Sequence, residues 1–285
     1  MSGAASIYAT ELVAAMKPNA PIDLDEIAKT LGLELEYCVT SGFEGALICS
    51  KANRVGTILV KQSIREAGRK RFTIAHEIGH YVLPHHGHAG CLCGADDVES
   101  WSCALSDHER QANIFASELL LPKFLLNHEV IKSHPTFNLI RQLAANFATS
   151  LTASAYRVMD LTTFRAAIVW STRGRIRWFK ASEEFDAFVT VRDQVAEGTY
   201  AYNCFDGRRV PDELKSVRAN LWLAPSQSGN EEYILEHSVW LPYYESVLTL
   251  LYLEQPSSFG RDDDSRALEE LNPEDFTLKR RRWPR

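Results

Sequence analysis

Apolar residues recur at helical spacing through the first half of the chain and at shorter, alternating spacing through the second. Residues 7–17 set Ile7, Leu12, Val13 and Met16 on one face and predict a helix. In "PIDLDEIAKTLG", Pro21 opens a second helix, Leu24, Ile27, Ala28 and Leu31 share its face, and Gly32 stops it. "LELEYCV", "GALICS" and "VGTILVKQ" predict three short strands. Helical spacing returns at Arg69 and runs to Leu83, where Pro84 ends it. Residues 84–104 show no period and predict a loop. A long helix follows from Asp107 to Leu121, closed by Pro122, and two or three more fill residues 123–161. Beyond Leu161 the texture changes. "FRAAIVWS", "RIRWFK", "FDAFVTV", "NLWLAP", "EEYILEHSVWL" and "VLTLLYLEQ" are short, aromatic and β-branched, with turn signals such as Thr172-Arg173-Gly174 between them. The pattern predicts an α+β chain. Residues 1–161 form a helical core with a small N-terminal sheet and a helix-turn-helix-like pair at 137–161, and residues 162–285 form a mainly β second domain.

Candidate chemistry concentrates in "RFTIAHEIGHYVLPHHGH", Arg71 to His88. His76-Glu77-Ile78-Gly79-His80 matches H-E-x-x-H. Imidazoles four residues apart on a helix sit one turn apart on one face, so both can reach one metal ion. Phe72, Ala75, Ile78, Val82 and Leu83 form the apolar stripe of this helix. His76 and His80 fall on its edge, where a side chain faces a cleft. Glu77 stands beside them as a proton acceptor for an attacking water. Gly79 costs about 1 kcal/mol relative to alanine inside a helix, which signals close approach by another element.

Catalytic zinc takes three protein ligands and leaves a fourth position open, and two residues compete for the third place. His86 gives the spacing of the metzincins, but Leu83 stands where their turn needs glycine, and Met1, Met16 and Met159 supply no Met-turn. Glu109 lies on "DHERQANIFASELLLP". Its face carries Ala112, Asn113, Ala116 and Leu120, small enough in part to let this helix approach Gly79, while Glu118 projects from the opposite side toward solvent. Glu109 is also the third helical residue of a capping box opened by Ser106, so a first-turn glutamate serves either role. The balance favours Glu109.

Composition narrows the setting. The chain is 45% hydrophobic and 24% charged with net charge −6, so its overall field does not attract nucleic acid. No run of 18 apolar residues predicts a membrane span, and Met1 to Ser6 lack the basic start of a secretory leader. Six scattered cysteines fit a cytoplasmic setting. Cys38, Cys49 and Cys204 read as buried thiols. His85, His86, His88, Cys91, Cys93 and Cys103 could hold a second metal or sense oxidants, but their spacing is irregular and favours a plain loop. The helix-turn-helix-like pair carries only Arg141 and Arg157, fewer cations than a DNA-reading helix needs, which favours packing or substrate docking. Lys279 to Arg285 form a basic tail with Trp283, solvated or packed near Asp262 to Asp264. "VGTILVKQ", just before the metal helix, is an expected edge for pairing with an extended substrate.

"RFTIAHEIGHYVL" followed by "ERQANIFASELLLP" resembles the paired signature of the ImmA/IrrE metallopeptidase family, H-E-x-G-H and E-x-x-A-N-x-F-A-x-x-L-L-x-P. Glu109, Ala112, Asn113, Phe115, Ala116, Leu119, Leu120 and Pro122 match the second motif. "PIDLDEIAKTLGLELEY" and "RQLAANFATSLTASAYRVMDL" are similar to flanking segments of the family, so the likeness covers roughly residues 7–161. The resemblance implies a zincin-like, gluzincin-type endopeptidase with Zn2+ on His76, His80 and Glu109 and Glu77 as base. It also implies a protein substrate, a Cro/CI-like (XRE-type) transcriptional repressor whose cleavage relieves repression in a stress or mobile-element response. The rival expectation is a non-proteolytic DNA-binding or toxin–antitoxin-associated regulator with a structural or vestigial metal site.

Overall fold

The computed structural model describes residues 2–16, 18–50, 55–84, 91–93, 106–185, 194–224 and 232–254. His85, His86, His88, Cys103, most of "FDAFVTV" and the basic tail with Asp262 to Asp264 lie outside them. The architecture is α+β, helical toward the N-terminus and sheet-rich toward the C-terminus.

The first layer is built on α1 (Ser2–Ala15), α2 (Leu24–Thr30), β1 (Leu33–Cys38), β2 (Gly45–Ser50) and β3 (Val55–Lys61). Helix α1 buries Ala5, Ala9 and Val13, a narrow stripe repeating every four residues, and leaves Ile7 58% exposed. The expected apolar face was therefore rotated, because alanines, and not the larger Ile7, meet the neighbouring helix. Asp23, not Pro21, opens α2, its side chain accepting from the Glu26 backbone N–H.

The four-stranded sheet has the order β1-β3-β2-β4, where β4 (Cys91–Cys93) is a short strand inside the segment expected to be loop. Strand β3 pairs with β1 in parallel and with β2 in antiparallel register. It is interior, so both sides of its backbone ladder are taken and it cannot accept a substrate strand. The expectation of substrate pairing on residues 57–61 is wrong for that reason.

Helix α3 (Ala67–Val82) lies under this sheet against α4 (Asp107–Leu120) and is ended by Leu83. Their core joins Ile58, Val60, Phe72, Ala75 and Ile78 to Phe115, Ala116 and Leu119.

Helices α5 (Lys123–Lys132), α6 (Phe137–Phe147) and α7 (Leu151–Leu161) follow. Side-chain oxygens of Thr136 and Ser150 cap α6 and α7. The second sheet is antiparallel, in the order β6-β5-β9-β8-β7, from β5 (Ala166–Thr172), β6 (Arg175–Ala181), β7 (Lys215–Arg218), β8 (Tyr233–Leu241) and β9 (Ser246–Tyr252). Alternation directs Ala166, Ile168, Leu248 and Leu250 onto α5–α7, and Ala167, Val169, Val247 and Leu251 onto a second core with Trp222 and Leu223. That double covering explains the near-continuous apolar runs. The run "NLWLAP" is no strand: Ala219–Leu221 form a 3-10 turn that drops Trp222 into the core. Tyr200–Phe205 form a short helix, α8, that alternation did not reveal. No helix among the described residues is long and apolar enough to cross a membrane.

Glu118 is a correction to the sequence reading. It is only 2% exposed. Its carboxylate accepts from Ser6 Oγ at 3.0 Å, Thr10 Oγ1 at 3.3 Å and the Lys123 backbone N–H at 2.8 Å, and it pairs with the Arg157 guanidinium. One buried carboxylate thus ties α1, α4, α5 and α7 together. Arg157, one of the only two cations of the helix-turn-helix-like pair, is spent inside the protein.

Candidate metal centre

Three ligand-bearing side chains from two helices converge. His76 and His80, one turn apart on α3, are 0% and 2% exposed. His80 Nε2 lies 3.0 Å from His76 Nε2. Glu109, in the first turn of α4, places Oε2 3.0 Å from His76 Nε2 and Oε1 3.3 Å from His80 Nε2. Atoms held 2.0–2.1 Å from a tetrahedral ion are spaced by about 3.3 Å. Three donors with this spacing, two imidazole nitrogens and a carboxylate, fit a divalent metal. Glu109 is 17% exposed at its side chain, so the group opens to solvent on the Glu109 side. The fit rests on the donors.

The two roles competing for Glu109 separate here. Its backbone N–H donates to Ser106 Oγ at 3.3 Å, the N-cap contact, while its carboxylate turns to the imidazoles. Burial raises its pKa, but hydrogen bonds and charge from His76 and His80 outweigh that and hold the group well below the usual carboxylate range.

Gly79 and Ala112 let the helices meet. A β-carbon on Gly79 would stand 3.3 Å from Ala112 Cα and 3.1 Å from the Phe115 ring, tighter than ordinary contact. The glycine is therefore what brings Glu109 within reach of the histidines. Glu77 is fully buried on the same helix. It lies under β2 at Gly45, where a β-carbon would come 2.6 Å from Glu77 Oε1 and 2.5 Å from Thr73 Cγ2.

Asn113 is a residue whose part sequence reasoning missed. Its Oδ1 lies 2.9 Å from His76 Nδ1. A proton on Nδ1 donates to that oxygen and leaves the Nε2 lone pair facing Glu109 and His80, the tautomer a metal needs. Its position four residues after Glu109, on the same helical face, was the available signal. His86, the alternative third ligand, lies outside the described residues, as do the partners for a second site around Cys91 and Cys93.

A family model for the IrrE N-terminal-like domain, peptidase family M78, matches residues 28–159. The radiation response metalloprotease IrrE of Deinococcus deserti is 27% identical over 163 residues, covering 57% of this chain and 56% of that protein. The protein of the same name from Deinococcus radiodurans is 24% identical over 224 residues, covering 74% of this chain and 66% of that protein. The matches thus span less than two thirds of either relative's length. The matched segment contains both helices of the candidate metal centre, so residues 28–159 are similar to the IrrE N-terminal-like domain of the ImmA/IrrE metallopeptidases.

Proposed function

We propose that this chain is a cytoplasmic zinc-dependent endopeptidase that cleaves a Cro/CI-like transcriptional repressor, with residues 1–161 as the peptidase core and 162–285 as a substrate-docking or sensory part. The observation that carries the reading is the convergence of His76 Nε2, His80 Nε2 and the Glu109 carboxylate on one point. Two imidazoles and a carboxylate with an open side are the ligand set of a catalytic zinc.

When bound, the metal supplies Lewis acidity toward the attacking water and the scissile carbonyl. Glu77 takes the proton from that water and hands it to the leaving amine. Its burial beneath Gly45 keeps bulk solvent from competing for that proton. Asn113 holds the His76 ring in the ligating tautomer. An extended substrate would pair with β4, an edge strand among the described residues that lies beside Gly45–Leu47, since β3 is enclosed.

Glu77→Gln tests the reading. The variant is expected to fold and keep its metal while losing about a hundredfold or more of its cleavage of a co-expressed repressor, read by immunoblot and reporter derepression. Full derepression by the glutamine variant would remove proteolysis from the account and leave the non-proteolytic regulator standing.

A further inference from the structure

The first turn of the metal-bearing helix is held from two sides. Arg69 Nε and Nη2 donate to Glu44 Oε2 and Oε1, both at 2.8 Å, a two-pronged pair largely withdrawn from solvent. Glu44 sits one residue before Gly45, and its backbone oxygen accepts from Lys61 N–H at 2.9 Å, which ties it to β3. Arg69, Thr73 and Glu77 follow at four-residue steps along one ridge of α3. The Thr73 hydroxyl closes on the Arg69 carbonyl oxygen at 3.1 Å. Strand β2 enters across this ridge, Glu44 on Arg69 and Gly45 on Thr73 and Glu77.

The other side comes from the C-terminal sheet. At the tip between β8 and β9, the Tyr244 hydroxyl lies beside Glu66, the residue that precedes α3, and beside Arg69, and the charges of both act on it. Its ring packs edge-on to Trp170 of β5, centroids 5.8 Å apart. The α6–α7 turn presses on the same place. A β-carbon on Gly68 would stand 2.5 Å from the Ser150 backbone nitrogen.

An ion pair of ordinary geometry holds only a distance and contributes little, a bidentate arginine–carboxylate pair being the exception. The planar two-pronged fork instead fixes an angle as well as a distance. We propose that Arg69 is a positioning residue of the peptidase centre: its fork on Glu44 seats Gly45 against Glu77, with Tyr244 of the C-terminal sheet beside it. The proposal rests on the peptidase reading for its consequence, since orientation of a general base is worth rate only if there is a reaction. A misplacement of about 1 Å is enough to cost on the order of a hundredfold.

The test uses the full-length, zinc-loaded chain, Arg69→Gln, Arg69→Lys and Tyr244→Phe, with a quenched-fluorescence peptide library as probe. Arg69→Gln is expected to lower kcat about tenfold or more with KM within about twofold and zinc content unchanged. Arg69→Lys restores part of the rate, and Tyr244→Phe moves kcat the same way by less. Hydrogen exchange of the amides at 45–47 is expected to quicken in Arg69→Gln and Tyr244→Phe. A wild-type kcat in Arg69→Gln, or a loss carried equally by KM or zinc, overturns the proposal. If Arg69→Gln does not fold, Tyr244→Phe carries the same measurements. If the wild type cuts neither the peptide library nor a co-expressed repressor, the peptidase reading fails by itself. Exchange then decides the contact: unchanged protection at 45–47 overturns the seating of β2, and quickened exchange supports it.

Discussion

Asn113 shows how a neutral side chain sets the chemistry of a charged neighbourhood. His76 is fully buried, so a proton on the wrong ring nitrogen would block the face that meets Glu109 and His80. The amide oxygen 2.9 Å from Nδ1 prevents this without adding charge. Asn113→Ala is therefore expected to weaken metal affinity by about ten- to a hundredfold while leaving the helix intact, as measured by competition with a chromogenic chelator. Unchanged affinity would mean that the ring is held by packing alone. The His76, His80 and Glu109 cluster was legible because its logic is local: the two histidines are one turn apart, and Glu109 opens the next long helix. Asn113 was placed on the Glu109 face, but its partner lies 37 residues away, and a single helix's periodicity does not name partners.

Helix α4 has two buried faces, and only one was visible in its sequence. Ala112 and Ala116 announce close packing by their size, whereas Glu118 reads as solvent-facing on any helical projection. Helix α1, more than a hundred residues upstream, covers it with Ser6 and Thr10, and Arg157 closes the other side. The apolar face expected of α1 ran through Ile7, Leu12, Val13 and Met16 and not through Ala5 and Ala9, so its contact with α4 was hidden from both ends. Arg157→Met is expected to leave the Glu118 carboxylate buried without its cation, at a cost of roughly 3 kcal/mol, near the lower end for a broken buried pair. Ser6, Thr10 and the Lys123 amide still donate to it, which keeps the loss from being larger. The shift in urea midpoint measures this, and a loss below about 1 kcal/mol would show that those donors suffice. The strands were read well where both faces are covered, as in β5, β8 and β9, and poorly where an apolar run turns inward over a 3-10 turn, as at Trp222.

The helices and the C-terminal sheet share one core between Leu121 and Tyr252, and a titratable group lies inside that joint. His237 of β8 is 5% exposed, with its ring edge-on to Phe137 of α6 at 4.9 Å and Nε2 3.4 Å from Asp212 Oδ1. Burial lowers its pKa. Asp212 and Glu213 oppose that, Arg141 adds to it, and the net direction is down. The folded protein therefore binds this proton less readily than the unfolded chain. The stability that follows is present above the ordinary histidine pKa of about 6.5 and is lost as pH falls through the lower folded value. Wild-type stability should decline on acidification below about pH 6.5 by up to about 1.4 kcal/mol per pH unit from this group. His237→Gln should decline less over the same range. Urea titrations of both proteins, metal-free, at a series of pH values isolate the effect, because both carry the same His76 and His80 and the difference between them cancels those ligands. Equal slopes would mean that Asp212 keeps His237 protonated in the fold. A shallower slope in the variant would assign that share of the acid sensitivity to His237 in the helix–sheet joint, beside Phe137.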